Sequence, residues 1–133
     1  MKERSFGQSQ EKIISRETKL VKVGSVTIGG NFPIVVQSMC ATKTQDIEAT
    51  VAQVEQLSNA GAGIVRIAVD SRSDALALRE IRARTNVNLS VDLQENWRLV
   101  NSVASYVDKI RYNPGHLYHH ERQMAVRDKV ALI

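Results

Sequence analysis

From Leu20 onward, short apolar runs alternate with longer stretches whose apolar residues recur at helical spacing. Leu20-Val21-Lys22-Val23 and Val26-Thr27-Ile28 flank Gly24-Ser25, which predicts a β-hairpin closed by a II′-type turn. Behind Pro33, Ile34-Val35-Val36-Gln37 reads as a strand. Ile47, Val51, Val54 and Leu57 lie on one face of a helix over 47–59, with Asp46 as its N-cap and Gly61 as its stop. Ile64 to Val69 is a second strand. A helix follows over 73–84, with Leu76, Leu78 and Ile81 as its apolar positions and Arg82 and Arg84 at the C-terminal end favoured by the helix dipole. Leu89 to Leu93 is a third strand, Asn96 caps a helix over 97–106, and Val107 to Tyr112 is a fourth strand. From Glu121 a helical pattern resumes through Val126, Val130 and Leu132.

Strands alternating with helices imply parallel pairing through helical crossovers. Two architectures fit the order: an open doubly wound sheet and a (β/α) barrel. Strand parity separates them, because successive side chains point to opposite faces. Val65, Ile67 and Val69 oppose Arg66 and Ala68. Leu89, Val91 and Leu93 oppose Ser90, Asp92 and Gln94. Ile110 and Tyr112 oppose Lys109, Arg111 and Asn113, and Val36 opposes Gln37. A sheet covered by helices on both faces would be apolar on both. One apolar and one polar face per strand fits a barrel, with apolar sets against the helices and polar sets inward. The fold expected is therefore α/β, a partial (β/α)8 TIM barrel of about four βα units behind an N-terminal hairpin. Residues 1–15 read as a flexible lead-in and 16–133 as the N-terminal part of the barrel domain. The final Val130-Ala131-Leu132-Ile133 lies inside a helical pattern with no cap, so the expectation is a truncated barrel.

On this reading Arg66, Lys109 and Arg111 gather near one barrel mouth, with Asp92 among them. Buried cations need anionic partners. Asp92 paired internally with Arg66 or Lys109 is one solution. Two or three cations against one acid leave positive charge for an anionic ligand, and guanidinium suits phosphate or carboxylate.

Composition narrows this further. Apolar residues are 43% and charged residues 24% of 133, as in a soluble globular domain. No apolar run approaches the roughly 20 residues that span a bilayer. Met1 to Ser15 has no apolar core of a secretory signal, so a cytoplasmic location is expected. The net charge of +4 and 5% aromatic content form no basic–aromatic stripe, so no nucleic acid partner is expected. One cysteine, Cys40, rules out an internal disulfide and a self-contained zinc or iron–sulfur site; it reads as a buried, inert thiol. His116, His119, His120 and Glu121 look like a metal cluster on paper, but adjacent histidines diverge on a helix, and no metal site is expected there. Trp97 reads as helix-to-sheet packing, and Asn113-Pro114-Gly115 as a turn that also presents the Asn113 amide at the mouth.

Several segments together are more specific. Val21-Lys22-Val23-Gly24 with Ile28-Gly29-Gly30, Pro33 to Met39, Asp46 to Val54, Ile64 to Val69, and Val107 to Gly115 resemble, in the same order, the 4-hydroxy-3-methylbut-2-enyl diphosphate synthase family. The resemblance runs over about residues 16–133. It implies an oxidoreductase of the non-mevalonate, or methylerythritol phosphate, route to isoprenoids (terpenoids). The family reductively opens 2-C-methyl-D-erythritol 2,4-cyclodiphosphate to the linear hydroxymethylbutenyl diphosphate. It further implies a TIM barrel that holds the diphosphate and a C-terminal part with a [4Fe–4S] cluster on three cysteines and a glutamate. Flavodoxin or ferredoxin is the implied electron donor, and a homodimer the implied assembly.

Carried over by position, Arg66 matches the family's diphosphate-contacting arginine, and Lys109, Arg111 and Asn113 fall in its Lys-Ile-Arg-x-Asn-Pro-Gly segment. Asp92 matches the acid of an Asp-Ile-His segment that here reads Asp92-Leu93-Gln94. Gln94 can hydrogen-bond but cannot titrate near neutrality. The expected substrate-binding set is thus Arg66, Asp92, Gln94, Lys109, Arg111 and Asn113, with no catalytic residue in this stretch. The cluster ligands are absent from the chain, so the isolated chain is expected to be inactive. The alternative from another class is a non-catalytic phosphate-ligand-binding module derived from the family.

Overall fold

The computed structural model describes residues 17–94, 96–113, 115 and 121–131. The lead-in over 1–15 and the histidines at 116, 119 and 120 lie outside them. The hairpin forms as the pattern predicts: β1 (Val21–Val23) and β2 (Val26–Ile28) pair antiparallel, with Val23 opposite Val26. Gly24 takes φ +55° while no non-glycine residue has positive φ among the described residues, the signature of a II′ turn.

Four parallel strands follow in the order β3-β4-β5-β6: Gln37–Met39, Ile64–Ala68, Leu89–Asp92 and Lys109–Arg111. Helix α1 (Ile47–Asn59) crosses from β3 to β4, and α2 (Arg72–Arg84) from β4 to β5. The α1 bounds are as expected, and the Asp46 carboxylate accepts from the Ala49 amide. Helix α2 starts one residue early because Ser71 and Asp74 form a reciprocal capping box. The apolar sets of the strands, led by Val65, Ile67, Leu89, Val91 and Leu93, pack against Val54, Leu78 and Ile81 of these helices.

Three expectations are corrected. Ile34 and Val36 are 96% and 59% exposed, and the first strand begins only at Gln37. β-branching favours extended backbone, but the partner strand opens at Ile64, opposite Gln37, so the ladder starts there; ahead of it the Val36 carbonyl still accepts from the Gly63 amide at 2.9 Å. Leu76 is 68% exposed. At about 100° per residue, Ala75, Leu78 and Ile81 share the buried face and Leu76 falls off it. The helix expected over 97–106 is broken into a 3-10 turn (Trp97–Leu99), one α turn α3 (Val100–Val103) and a second 3-10 turn (Ala104–Tyr106). Asn96 makes no side-chain cap; its amide donates to the Asp70 carbonyl instead. The last described helix, α4, spans Val126–Ala131.

The hairpin sits under the N-terminal ends of the parallel strands. The Asn88 carboxamide accepts from the Ser25 amide at 2.9 Å and donates to Ser25 Oγ and the Gly63 carbonyl, both at 2.9 Å. Approach at the turn is so close that a Cβ on Gly24 would meet Asn88 Oδ1 at 2.1 Å. The hairpin is thereby fixed to the floor of the sheet.

Candidate functional site: a charged inner face

The ladder pairs Met39 with Arg66, Arg66 with Ser90 and Ser90 with Lys109; one step nearer the rim it pairs Ala68 with Asp92 and Asp92 with Arg111. Paired residues on neighbouring strands point to the same face. Gln37, Met39, Arg66, Ser90, Asp92, Lys109 and Arg111 therefore share the side away from the helices. Arg66 and Arg111 face the same way, as parity predicts.

Asp92 is the hub. Its side chain is 4% exposed; Arg111 Nη1 donates to Oδ1 at 2.9 Å, and Arg66 Nε lies 3.5 Å from Oδ2. The arginines are more open, at 28% for Arg66 and 41% for Arg111. One buried carboxylate is bracketed by two guanidinium groups on adjacent strands, so internal pairing is real and still leaves one net positive charge. Lys109 does not join this cluster. It lies one register step below Asp92 and Arg111, at the level of Arg66, and donates to Gln37 Oε1 at 2.7 Å. Asn113 stands just past β6, where its Oδ1 accepts from the Gly115 amide at 3.0 Å, an Asx-type turn at the rim. Gln94 is exposed just past β5.

One inward residue, Met39, escaped the sequence reading. Met39 accepts from Arg66 Nη2 at 3.1 Å and from Nε at 3.3 Å. Ser90 is fully buried, and its hydroxyl has no hydrogen-bond partner among the described residues. The two-residue period from Gln37 was the available signal for Met39.

The loop after β3 is held as firmly as the strands. Gln53 Oε1 accepts from the Ala41 and Thr42 amides, Thr44 donates to the Ala68 carbonyl at 2.6 Å, and Thr42 and Thr50 hydroxyls meet at 2.9 Å. Cys40 is buried there, and desolvation pushes its thiol up to about 11. Such a thiol is a poor thiolate ligand. No group of three or more His, Cys, Asp or Glu able to hold a metal occurs among the described residues. The residues of this chain do not fit a [4Fe–4S] cluster.

A parallel β/α array with apolar residues toward its helices and charges on its inner face defines the chain as part of a β/α barrel. The GcpE TIM-barrel domain model matches residues 18–131, and the chain belongs to that family. It is 62% identical over 119 residues to a 4-hydroxy-3-methylbut-2-en-1-yl diphosphate synthase (flavodoxin) of Rhodopirellula baltica, covering 90% of this chain and 31% of the relative. It is 46% identical over 117 residues to the protein of the same name from Exiguobacterium sibiricum, covering 86% and 32%. The chain thus spans about a third of the length of these relatives. Among solved structures, phospho-2-dehydro-3-deoxyheptonate aldolase (DAHP synthase) of Thermotoga maritima superposes with a TM-score of 0.56 at 16% identity, over 77% of this chain and 32% of that one. That likeness concerns the fold.

Proposed function

We propose that this chain is the first part of the substrate-holding barrel of an oxidoreductase that opens 2-C-methyl-D-erythritol 2,4-cyclodiphosphate to 4-hydroxy-3-methylbut-2-enyl diphosphate. The observation that carries the reading is Asp92 held between Arg111, beside it at the C-terminal ends of their strands, and Arg66, one register step below; the C-terminal end is where β/α barrels do their chemistry. Two guanidinium groups against one carboxylate leave a fixed, preorganised positive site for a diphosphate. Asn113, Gln94 and, from the level of Arg66, Lys109 complete the substrate-binding set. The relatives' name adds flavodoxin as electron donor, with ferredoxin as the alternative. A homodimer in the cytoplasm is the proposed setting, with residues 16–133 as the barrel portion. Any [4Fe–4S] cluster is held by residues outside this chain. Among the described residues, no helix is long and apolar enough to cross a membrane.

Gln94 in place of the family's histidine favours a second reading, a diphosphate-binding module without turnover. The test is twofold. Pyrophosphate titration of wild type and Arg111→Ala should show affinity lowered by about 1.5–3 kcal/mol in the variant, the worth of a charge-assisted hydrogen bond. The 133-residue chain supplied with cluster reagents and reduced flavodoxin should not turn over the cyclic diphosphate, whereas a protein that continues through the length of the relatives should. Failure of the long form to react would leave the module reading. Equal pyrophosphate affinity in the two proteins would remove Arg111 from the site.

A further inference from the structure

We propose that the Met39 thioether is the resting acceptor that holds the Arg66 guanidinium in place without competing with an incoming phosphate oxygen. This deepens the diphosphate reading and rests on it. Met39 and Arg66 are direct neighbours across β3 and β4. Among the described residues, both hydrogen bonds of the Arg66 guanidinium end on the Met39 sulfur, one from Nη2 and one from Nε. Asp92 Oδ2 stands farther off, 3.5 Å from Nε, while its Oδ1 is engaged by Arg111. Ser90, the neighbour on the other side of Arg66, makes no bond to it.

The chemistry of the acceptor decides what this arrangement does. A thioether is a weak, polarisable acceptor. Guanidinium bonded bidentately to a carboxylate would have to break two strong bonds before binding an anion. Guanidinium resting on sulfur gives up little. Sulfur fixes the side chain's direction, which lowers the ordering cost of binding, and Arg66 then exchanges the sulfur for phosphate oxygen. Met39 is a positioning residue in this scheme and need not touch the ligand.

The experiment compares pyrophosphate binding by calorimetry in wild type, Met39→Leu, Met39→Gln and Arg66→Gln, with thermal melts to confirm folding. Leucine removes the acceptor and keeps the bulk. Glutamine supplies a strong amide acceptor of similar length. Arg66→Gln should bind at least about tenfold more weakly, Met39→Gln about five- to twentyfold more weakly, and Met39→Leu within about threefold of wild type. A purely structural role would not order the two Met39 variants by acceptor strength. A second readout needs no variant at position 39: the Met39 methyl resonance should move in step with pyrophosphate saturation in wild type and stay still in Arg66→Gln. Equal binding by Met39→Gln and wild type, an equal loss in both Met39 variants, or an unmoved methyl signal at saturation overturns the role of Met39 alone. A wild type that binds no pyrophosphate, or an Arg66→Gln protein that binds as well as wild type, overturns the diphosphate reading and this assignment with it.

Discussion

Arg111 Nη1 and Asp92 Oδ1 lie 2.9 Å apart on adjacent parallel strands, directly opposite each other in the ladder. The contact neutralises a carboxylate that the sheet has taken almost wholly out of water, and it positions the guanidinium at the strand end. Replacing Asp92 with Asn keeps the shape and removes the charge. Loss of a buried partner typically costs about 3–5 kcal/mol; with both arginines partly hydrated, about 1–3 kcal/mol is expected here. Urea unfolding measures it. Pyrophosphate should bind the variant more tightly than wild type and restore part of the lost stability by mass action.

At the opposite rim, Asn88 carries the docking of the hairpin. Asn88→Ala removes the carboxamide from three groups at once: the Ser25 amide, Ser25 Oγ and the Gly63 carbonyl. A cost of about 1–3 kcal/mol is expected. Amide exchange over Val21–Ile28 should accelerate more than exchange in β5, because the hairpin loses its anchor before the sheet does.

Acid should weaken the start of α2. Burial raises the Asp74 pKa, but hydrogen bonds from Gln45, Ser71 and the backbone amides of Asp70 and Ser71 together outweigh it, so the value lies below that of an ordinary aspartate. The folded state therefore binds this proton less readily than the unfolded chain. The contribution to stability is complete above the unfolded value of about 3.9 and disappears as pH falls through the lower folded value. Urea midpoints of wild type and Asp74→Asn should differ most near pH 6 and converge at strongly acidic pH.

Cys40 should resist thiol reagents. With its pKa pushed up to about 11 by burial, the thiolate fraction at pH 8 is roughly two orders of magnitude below that of a free cysteine. Iodoacetamide at pH 8 should modify the denatured protein quickly and the native protein slowly. Rapid native labelling would contradict the buried placement.

The two-residue period of the strands was legible in the sequence, and with it the shared face of Arg66, Asp92, Lys109 and Arg111. It was legible because one face must meet apolar helices and the other must not. Depth along the strands was not. Parity says which way Lys109 points but not that it lies one layer below Arg111, since layer position depends on register between strands. The same blindness hid where the first strand begins and left Met39 unread. The S-x-x-D spacing of Ser71 and Asp74 was visible and unused. The breaking of the helix after Asn96 had no local signal of comparable strength.

The ladder that seats Asp92 between two guanidinium groups also makes misalignment of β5 expensive. A slip of one residue would present Val91 or Leu93 to the arginines and press a carboxylate against Leu78 and Ile81, where nothing can solvate it. Pairings that satisfy the oily side and strand the acid, or the reverse, are both rejected. The charges on the inner face thus act as a proofreading mark for strand assembly.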